Sequence, residues 1–578
     1  MILYIYRRKT IKKLTFGTPE KIVPSCFCKN LNYTETDIKY NVSDISFKNT
    51  ARGCVIEFPL KGSEQIYGFG LQLKGFNHKG TKLSLKANAD PVAYTGDSHA
   101  PVPFFVTTEG YGMYFDTARY IEVQCGFTKK RFRTVGKENE LISDVGELYK
   151  KENGDDDTVM TVTIPGVQGI DIYIFEGENI LDTVSQYNMF SGGGCSVPDW
   201  SLGTMFRAYL HSTGNDIMNI ADYFRKNDIP CDIIGIEPGW QSACYSCSYV
   251  WDSERFPNHK EVVKYLRDNG FHINLWEHAF VSPKSPLYKP LFNLSGNYEV
   301  WEGLVPDFSL EKAQEIFAEY HKKNFTDEGI DGFKLDECDS GDFVGDWSFP
   351  NCAEFPGGMD GEQYHQMFGT LYMQAILKAL DGTHTLSEVR NAGALAASYP
   401  FVLYSDLYDH KDFIRGTVNS GFSGILWTPE LRDAKTEKEL LRRLQSTVFS
   451  VQCLINGWYC ENIPWLEFGC EDKVRSLLKV RAQLLPMLKE AFALYHEKGV
   501  PPVRALVADY TYDSETYGID NEYVFCGKLI VAPLTAESDT RKVYLPKGEW
   551  RDWFTKEPVE SGWFEVTTEN IPVYEKIV

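Results

Sequence analysis

The chain has 578 residues, of which 43% are hydrophobic and 24% charged. That balance fits folded globular domains and excludes a largely disordered chain. Eighty acidic against 59 basic residues give a net charge of −21, which disfavours nucleic acid and anionic membrane surfaces as main partners.

Met1 opens a short apolar stretch that is followed, not preceded, by Arg7, Arg8, Lys9, Lys12 and Lys13. That order is the reverse of a secretory signal. With no membrane-length apolar run, a cytoplasmic location with reduced thiols is expected for the 14 cysteines. Cys244 and Cys247 form a lone CxxC, and Cys26 and Cys28 a CxC. Neither has the second ligand pair that a zinc site requires, so both read as packed thiols.

Residues 1–195 read as an N-terminal β-sandwich. Short apolar or alternating runs at Cys54–Leu60, Val102–Thr107, Gly112–Phe115, Ile121–Val123, Met160–Ile164 and Asp171–Phe175 are separated by turn residues, with little helical periodicity. The run Ser191-Gly192-Gly193-Gly194-Cys195 is predicted to be a flexible linker.

Residues 196–498 alternate strands with helices. Strands are predicted at Met205–Leu210, Cys231–Ile236, Phe271–Trp276, Gly332–Asp336, Thr383–Glu388, Phe401–Asp406, Ser423–Trp427 and Cys453–Trp458. The stripe Ala313, Ile316, Phe317 and Tyr320 predicts a helix over Glu311–Glu328 that stops at Gly329. Eight such units predict a (β/α)8 TIM barrel; a doubly wound open sheet is the competing architecture. After a helix around Asp472–Lys498, residues 499–578 return to short strands and read as a small C-terminal β-domain.

In barrels of this kind the chemistry sits at the C-terminal strand ends. Those ends carry Glu237, Glu277, Asp336, Glu337, Asp339, Glu388, Arg390, Asp406 and Glu430, with Trp240, Trp276 and Trp427 among them. A cup of carboxylates and indoles suits a neutral polyhydroxylated ligand. The alternatives are a hard-metal site of carboxylates or surface charges at loop starts. Glycoside cleavage needs one ionised and one proton-donating carboxyl. Asp336 ends an apolar strand, and Lys334 shares its face and would favour its ionised form, which makes Asp336 the candidate nucleophile.

The segment Phe333–Asp339 resembles the nucleophile motif of glycoside hydrolase family 31, the retaining α-glycosidases, with Asp339 in place of the usual Glu. Arg390-Asn391-Ala392-Gly393, Tyr399-Pro400 and Ser405-Asp406 resemble the family's acid/base block. Further likenesses are Tyr67–Gly70, Asp252–Pro257 with Gly270–Trp276, Arg481–Met487, Val503–Leu506 and Leu545–Trp550. The resemblance implies a β-sandwich, a barrel and a small β-domain, with Asp336 as nucleophile and Asp406 as acid/base; Asp409 is a nearby rival for the acid role. It implies a sugar subsite shaped by Glu237, Trp276, Asp307, Lys334, Asp339, Arg390 and Trp427, and it needs no metal or cofactor. Burial and the neighbouring Asp336 are expected to raise the Asp406 pKa.

The chain departs from the family pattern at Trp427-Thr428-Pro429-Glu430, where W-S-H-D or a similar stretch is usual, and at Ile236–Trp240, where many α-glucosidases carry D-I-D-Y-M. The expected activity is that of a retaining exo-α-glycosidase of α-glucosidase or α-xylosidase type, acting on an oligosaccharide or small glycoside. An α-galactosidase, a sulfoquinovosidase, a lyase or transglycosylase, and a disabled carbohydrate-binding protein remain open, as does a homo-oligomer. Tyr404, Tyr408 and Phe422 read equally as entrance or core.

Overall fold

The computed structural model describes residues 10–31, 33–89, 91–128, 158–341, 347–380 and 385–577. Arg7, Arg8, Lys9 and Thr383, which entered the sequence reading, lie outside these residues.

The N-terminal segment folds into two five-stranded antiparallel sheets. One holds Ser46–Thr50, Gly53–Leu60, Thr158–Pro165, Ile121–Thr128 and Lys82–Leu85. Thr158–Pro165 alternates buried and half-buried residues, the period of a sheet with one face on a core. The other sheet holds Ile11–Thr18, Gln168–Glu176, Tyr111–Asp116, Pro101–Thr107 and Ile66–Gly70. Every residue of Pro101–Thr107 is buried. Phe105 packs toward the first sheet, and Phe104 stacks on Tyr187 of the helix Ile180–Phe190, 3.9 Å between ring centres. Being covered on both faces explains the continuous apolar run.

The helix Ile180–Phe190 was not legible as a helix. Nine of its 11 residues are buried, so it lacks the amphipathic stripe that marks a surface helix. The glycine run after it is a packed corner and not the flexible linker expected. The Gly194 amide donates to the Tyr495 carbonyl at 3.1 Å, and His496 Nδ1 lies 2.8 Å from the Gly194 oxygen. A Cβ at Gly194 would fall 2.3 Å from the Tyr495 ring, so the close approach requires glycine.

The barrel strands are Thr204–Arg207, Ile233–Ile236, His272–His278, Gly332–Asp336, Ser387–Val389, Phe401–Leu403, Leu426–Trp427 and Cys453–Asn456, paired in parallel. Between the seventh and eighth strands the ring closes through Leu431, which bridges Ile455 and donates its amide to the Leu454 carbonyl at 3.0 Å. This closure decides for the barrel over an open sheet. The sixth strand ends at Leu403, earlier than expected, because Arg432 holds the Ser405 and Asp406 carbonyls in a loop. The helix from Glu311 ends at Asn324, followed by a 3-10 turn over Thr326–Glu328 and the left-handed Gly329.

The helix Glu471–Lys498 leads to a six-stranded sheet from Val503–Ala505 to Val573–Lys576, with Thr540–Leu545 and Gly562–Thr567 paired beside it. Among the described residues no helix is long and apolar enough to cross a membrane.

Candidate active site

Strand alternation selects which groups enter the barrel. On the third strand Asn274 and Trp276 face inward, whereas Glu277 turns to the surrounding helices. There it meets His321 Nε2 at 2.9 Å and accepts from the Tyr372 hydroxyl at 2.6 Å. Glu277 thus belongs to the barrel wall.

The floor of the inward cup is a buried charged network. Arg207 pairs with Glu237 and reaches Glu388 at 3.3 Å and Asn274 at 2.8 Å. Gln452 donates to Glu388 at 2.7 Å. Burial pushes Glu388 up to about 7 despite the nearby Arg207. For Glu237 burial acts upward too, but Arg207 and Lys334 outweigh it and hold the carboxyl below its ordinary value. Lys334 Nζ lies 3.2 Å from Glu237 and 4.9 Å over the Tyr404 ring. Its partner is therefore Glu237 and not Asp336, as its shared strand face had suggested.

Above the floor, Asp336 is 7% exposed at the end of the fourth strand. Trp276 Nε1 donates to its Oδ2 at 2.7 Å, and the Glu337 amide donates to its Oδ1 at 2.9 Å. Arg390 is the hub. Its Nη1 is bonded to Asp406 and lies 3.5 Å from Asp336 Oδ1, while its Nε donates to Asp339 at 3.1 Å. Asp336 and Asp406 are thus brought to one guanidinium nitrogen. His99 Nδ1 meets the same Asp339 oxygen, Oδ2, at 2.7 Å, and His99 Nε2 lies 2.7 Å from the Ser405 hydroxyl.

Asp406 is half exposed. Burial of its surroundings acts upward on its pKa, but Arg390, Arg432 and Lys334 outweigh this and hold the carboxyl well below its ordinary value. That corrects the expected raised pKa: two guanidiniums, not a neighbouring carboxylate, dominate its field. Beside Asp336 the raised carboxyl is Glu337, through burial first and then the charge of Asp336.

Two sequence-assigned residues lie apart from this cluster among the described residues. Asp307 accepts from the Ser309 amide at 3.0 Å and the Gly357 amide at 2.6 Å, bracing loops. Trp427 is 2% exposed and gives its indole N–H to the Phe413 carbonyl at 3.1 Å. Trp240 likewise donates to the Trp276 carbonyl at 2.7 Å, so Trp276 alone of the three expected indoles faces the carboxylates. Asp409 caps the helix His410–Asn419 by accepting from the Asp412 amide at 2.9 Å. Phe422 stacks on Tyr67 in the core, and Tyr404 lies against Lys334 and Arg390.

Sequence reasoning missed Arg207, Arg432, His99 and Trp458. Arg432 sits two residues after Glu430, pairs with it and lies 3.5 Å from Asp406 Oδ1. Trp458 Nε1 and Asp339 Oδ1 are buried polar atoms without a partner among the described residues, as expected where a hydroxylated ligand would bind. No group of three His, Cys, Asp or Glu side chains converges as a metal site among the described residues.

Residues 195–491 match the glycosyl hydrolases family 31 TIM-barrel domain, 499–577 the glycosyl hydrolase family 31 C-terminal domain, and 30–123 the glycosyl hydrolase 31 N-terminal galactose mutarotase-like domain. An α-xylosidase of Emericella nidulans is 21% identical, over 90% of this chain and 66% of its own. An α-glucosidase 2 of Bacillus thermoamyloliquefaciens is 26% identical, over 89% of this chain and 67% of its own. The chain therefore spans about two thirds of the length of these relatives. A family 31 dextranase of Flavobacterium johnsoniae superposes with a TM-score of 0.79 at 20% identity, over 93% of this chain and 68% of that one. Three domain models of one family thus follow one another along the chain, and the barrel model alone spans more than half of it, over the segment that carries Asp336, Arg390 and Asp406: the chain belongs to glycoside hydrolase family 31.

Proposed function

We propose that the chain is a retaining exo-acting α-glycosidase of α-glucosidase or α-xylosidase type. The observation that carries this is the single Arg390 nitrogen shared by Asp336 and Asp406 at the C-terminal end of a closed barrel. Asp336, stripped of water on one side and fixed by Trp276, attacks the anomeric carbon as the glycosidic bond to the leaving oxygen breaks. Asp406 gives its proton to that oxygen. Water then attacks the glycosyl–enzyme, Asp406 takes the water's proton, and Asp336 is released, so the anomeric configuration is retained. For the first step Asp406 must exchange its arginine contacts for a proton, which sugar hydroxyls arriving at Arg390 would favour. The floor of Glu237, Lys334 and Trp458 closes the cup behind the terminal sugar.

Two relatives are named α-xylosidase and α-glucosidase, and a structural neighbour is described in complex with isomaltotriose. We also infer a cytoplasmic location, where the 14 cysteines would stay reduced. The arginine pairing of Asp406 also favours a second reading, a carbohydrate-binding protein whose acid stays locked as a carboxylate.

The test is hydrolysis of aryl α-glycosides of glucose, xylose, galactose, N-acetylgalactosamine and sulfoquinovose, with the first-formed anomer read by NMR. Turnover of one sugar with an α product supports the glycosidase. A β product contradicts retention. Sugar binding without release above the Asp336→Asn blank favours the binding protein.

A further inference from the structure

Glu337 follows Asp336 directly and adopts a left-handed backbone with φ 55°, which non-glycine residues rarely hold. That turn lets its amide serve Asp336 while its carboxyl meets the Tyr245 hydroxyl at 3.3 Å. Tyr245 is 50% exposed, and its ring lies 5.7 Å from Trp276, the indole bonded to Asp336. On its other side it meets Trp301 at 4.8 Å, and Trp301 meets the half-exposed Trp347 at 5.1 Å. Exposure thus rises from the buried floor through Asp336 and Glu337 to Tyr245 and Trp347. In an exo-acting cup the terminal sugar fills the buried end, and the leaving group lies toward the mouth.

We propose that Glu337 and Tyr245, backed by Trp301 and Trp347, form the subsite for a sugar ring on the leaving-group side of the bond cleaved at Asp336, with the carboxyl and phenol bonding its hydroxyls. This rests on the glycosidase reading above. Aromatic rings cover the apolar face of a pyranose, and a carboxyl–phenol pair supplies both donor and acceptor to its hydroxyls. Burial first, and then the charges of Asp336, Asp339 and Asp406 against Arg390, let the Glu337 carboxyl stay neutral more readily than an isolated one. A neutral carboxyl both donates and accepts, as a glutamine amide does.

The experiment compares kcat/KM on maltose, isomaltose and isoprimeverose with kcat/KM on α-glucosyl and α-xylosyl fluoride, whose leaving group fills no second sugar site. Glu337→Ala and Tyr245→Ala should each lower the disaccharide-to-fluoride ratio by about tenfold, the weight of one or two hydrogen bonds. Glu337→Gln should keep that ratio within about threefold of wild type. Losses that are equal on both substrate kinds overturn the proposal. A second arm uses Asp336→Asn and calorimetric binding of each disaccharide against its terminal monosaccharide. Tighter disaccharide binding that is erased by adding Glu337→Ala supports the subsite, and equal affinities overturn it. If wild type turns over no α-glycoside, the glycosidase reading fails, and the binding arm still decides the subsite.

Discussion

The floor and the mouth of the cup solve opposite electrostatic problems. On the floor, Arg207 and Lys334 face Glu237 and Glu388, two cations against two carboxylates, all buried. At the mouth, Asp336, Glu337, Asp339 and Asp406 crowd around Arg390, with Arg432 reaching Asp406 alone but already paired with Glu430. A balanced network matches each charge with a partner, although burial still pushes Glu388 up to about 7. An under-neutralised one leaves a proton to be placed, and proton placement is what acid–base chemistry requires. The floor is thus suited to shaping, the mouth to reacting.

This contrast is tested most severely at Asp336. Asp336→Asn should lower kcat by about a thousandfold or more, since covalent attack has no substitute, while leaving the melting temperature near wild type. A floor change should do the reverse. Arg207→Met leaves Glu388 without its paired cation and Glu237 with Lys334 alone, so a loss of about 3–5 kcal/mol is expected in denaturant titration. A wild-type unfolding midpoint for Arg207→Met would show that the floor does not depend on its ion pairs.

Arg432→Gln changes the field on Asp406 while leaving both reacting carboxyls in place. Arg432 lowers the Asp406 pKa, so its removal raises it. Because Asp406 must be protonated to act as an acid, activity is lost as pH rises through that pKa. The alkaline limb of kcat/KM should therefore move upward by about one pH unit. An unmoved limb would remove Asp406 from the acid role.

The smallest effect is expected at His99→Ala, which frees Asp339 on one side and Ser405 on the other. About 1–3 kcal/mol of stability should be lost, with kcat falling about tenfold as Arg390 loses its fixed partner. A change in stability alone would make His99 a structural link between the N-terminal sheets and the barrel.

The strand order of the barrel was legible because each strand is a short apolar run, and stripes such as those of the helices Gly214–Lys226 and Glu311–Asn324 set several of them apart, although no helix separates the fifth strand from the sixth. Asp336, Arg390 and Asp406 were legible as motif residues, and the structure gathers them. Their partners were not. His99 and Asp339 are 240 residues apart, and nothing near Ser98-His99-Ala100 marks it. Lys334 was assigned to Asp336 by strand alternation, which gives the face but not the neighbour; Glu237, just past the end of another strand, pairs with its ammonium. Trp427 ends a strand of only two residues, too short for alternation to reveal that its indole turns to Phe413. The left-handed turn at Glu337 has no sequence signature, since glycine or asparagine would be the expected residue there.

The central claim is that Asp336 forms a covalent bond to the sugar. Wild type would be incubated with 5-fluoro-α-glucosyl and 5-fluoro-α-xylosyl fluoride, and the intact mass and digested peptides measured. One sugar adduct per chain, on the peptide carrying Asp336 and absent from Asp336→Asn, is the expected result. An adduct on another carboxylate, or turnover to the β-sugar with no adduct, would contradict it.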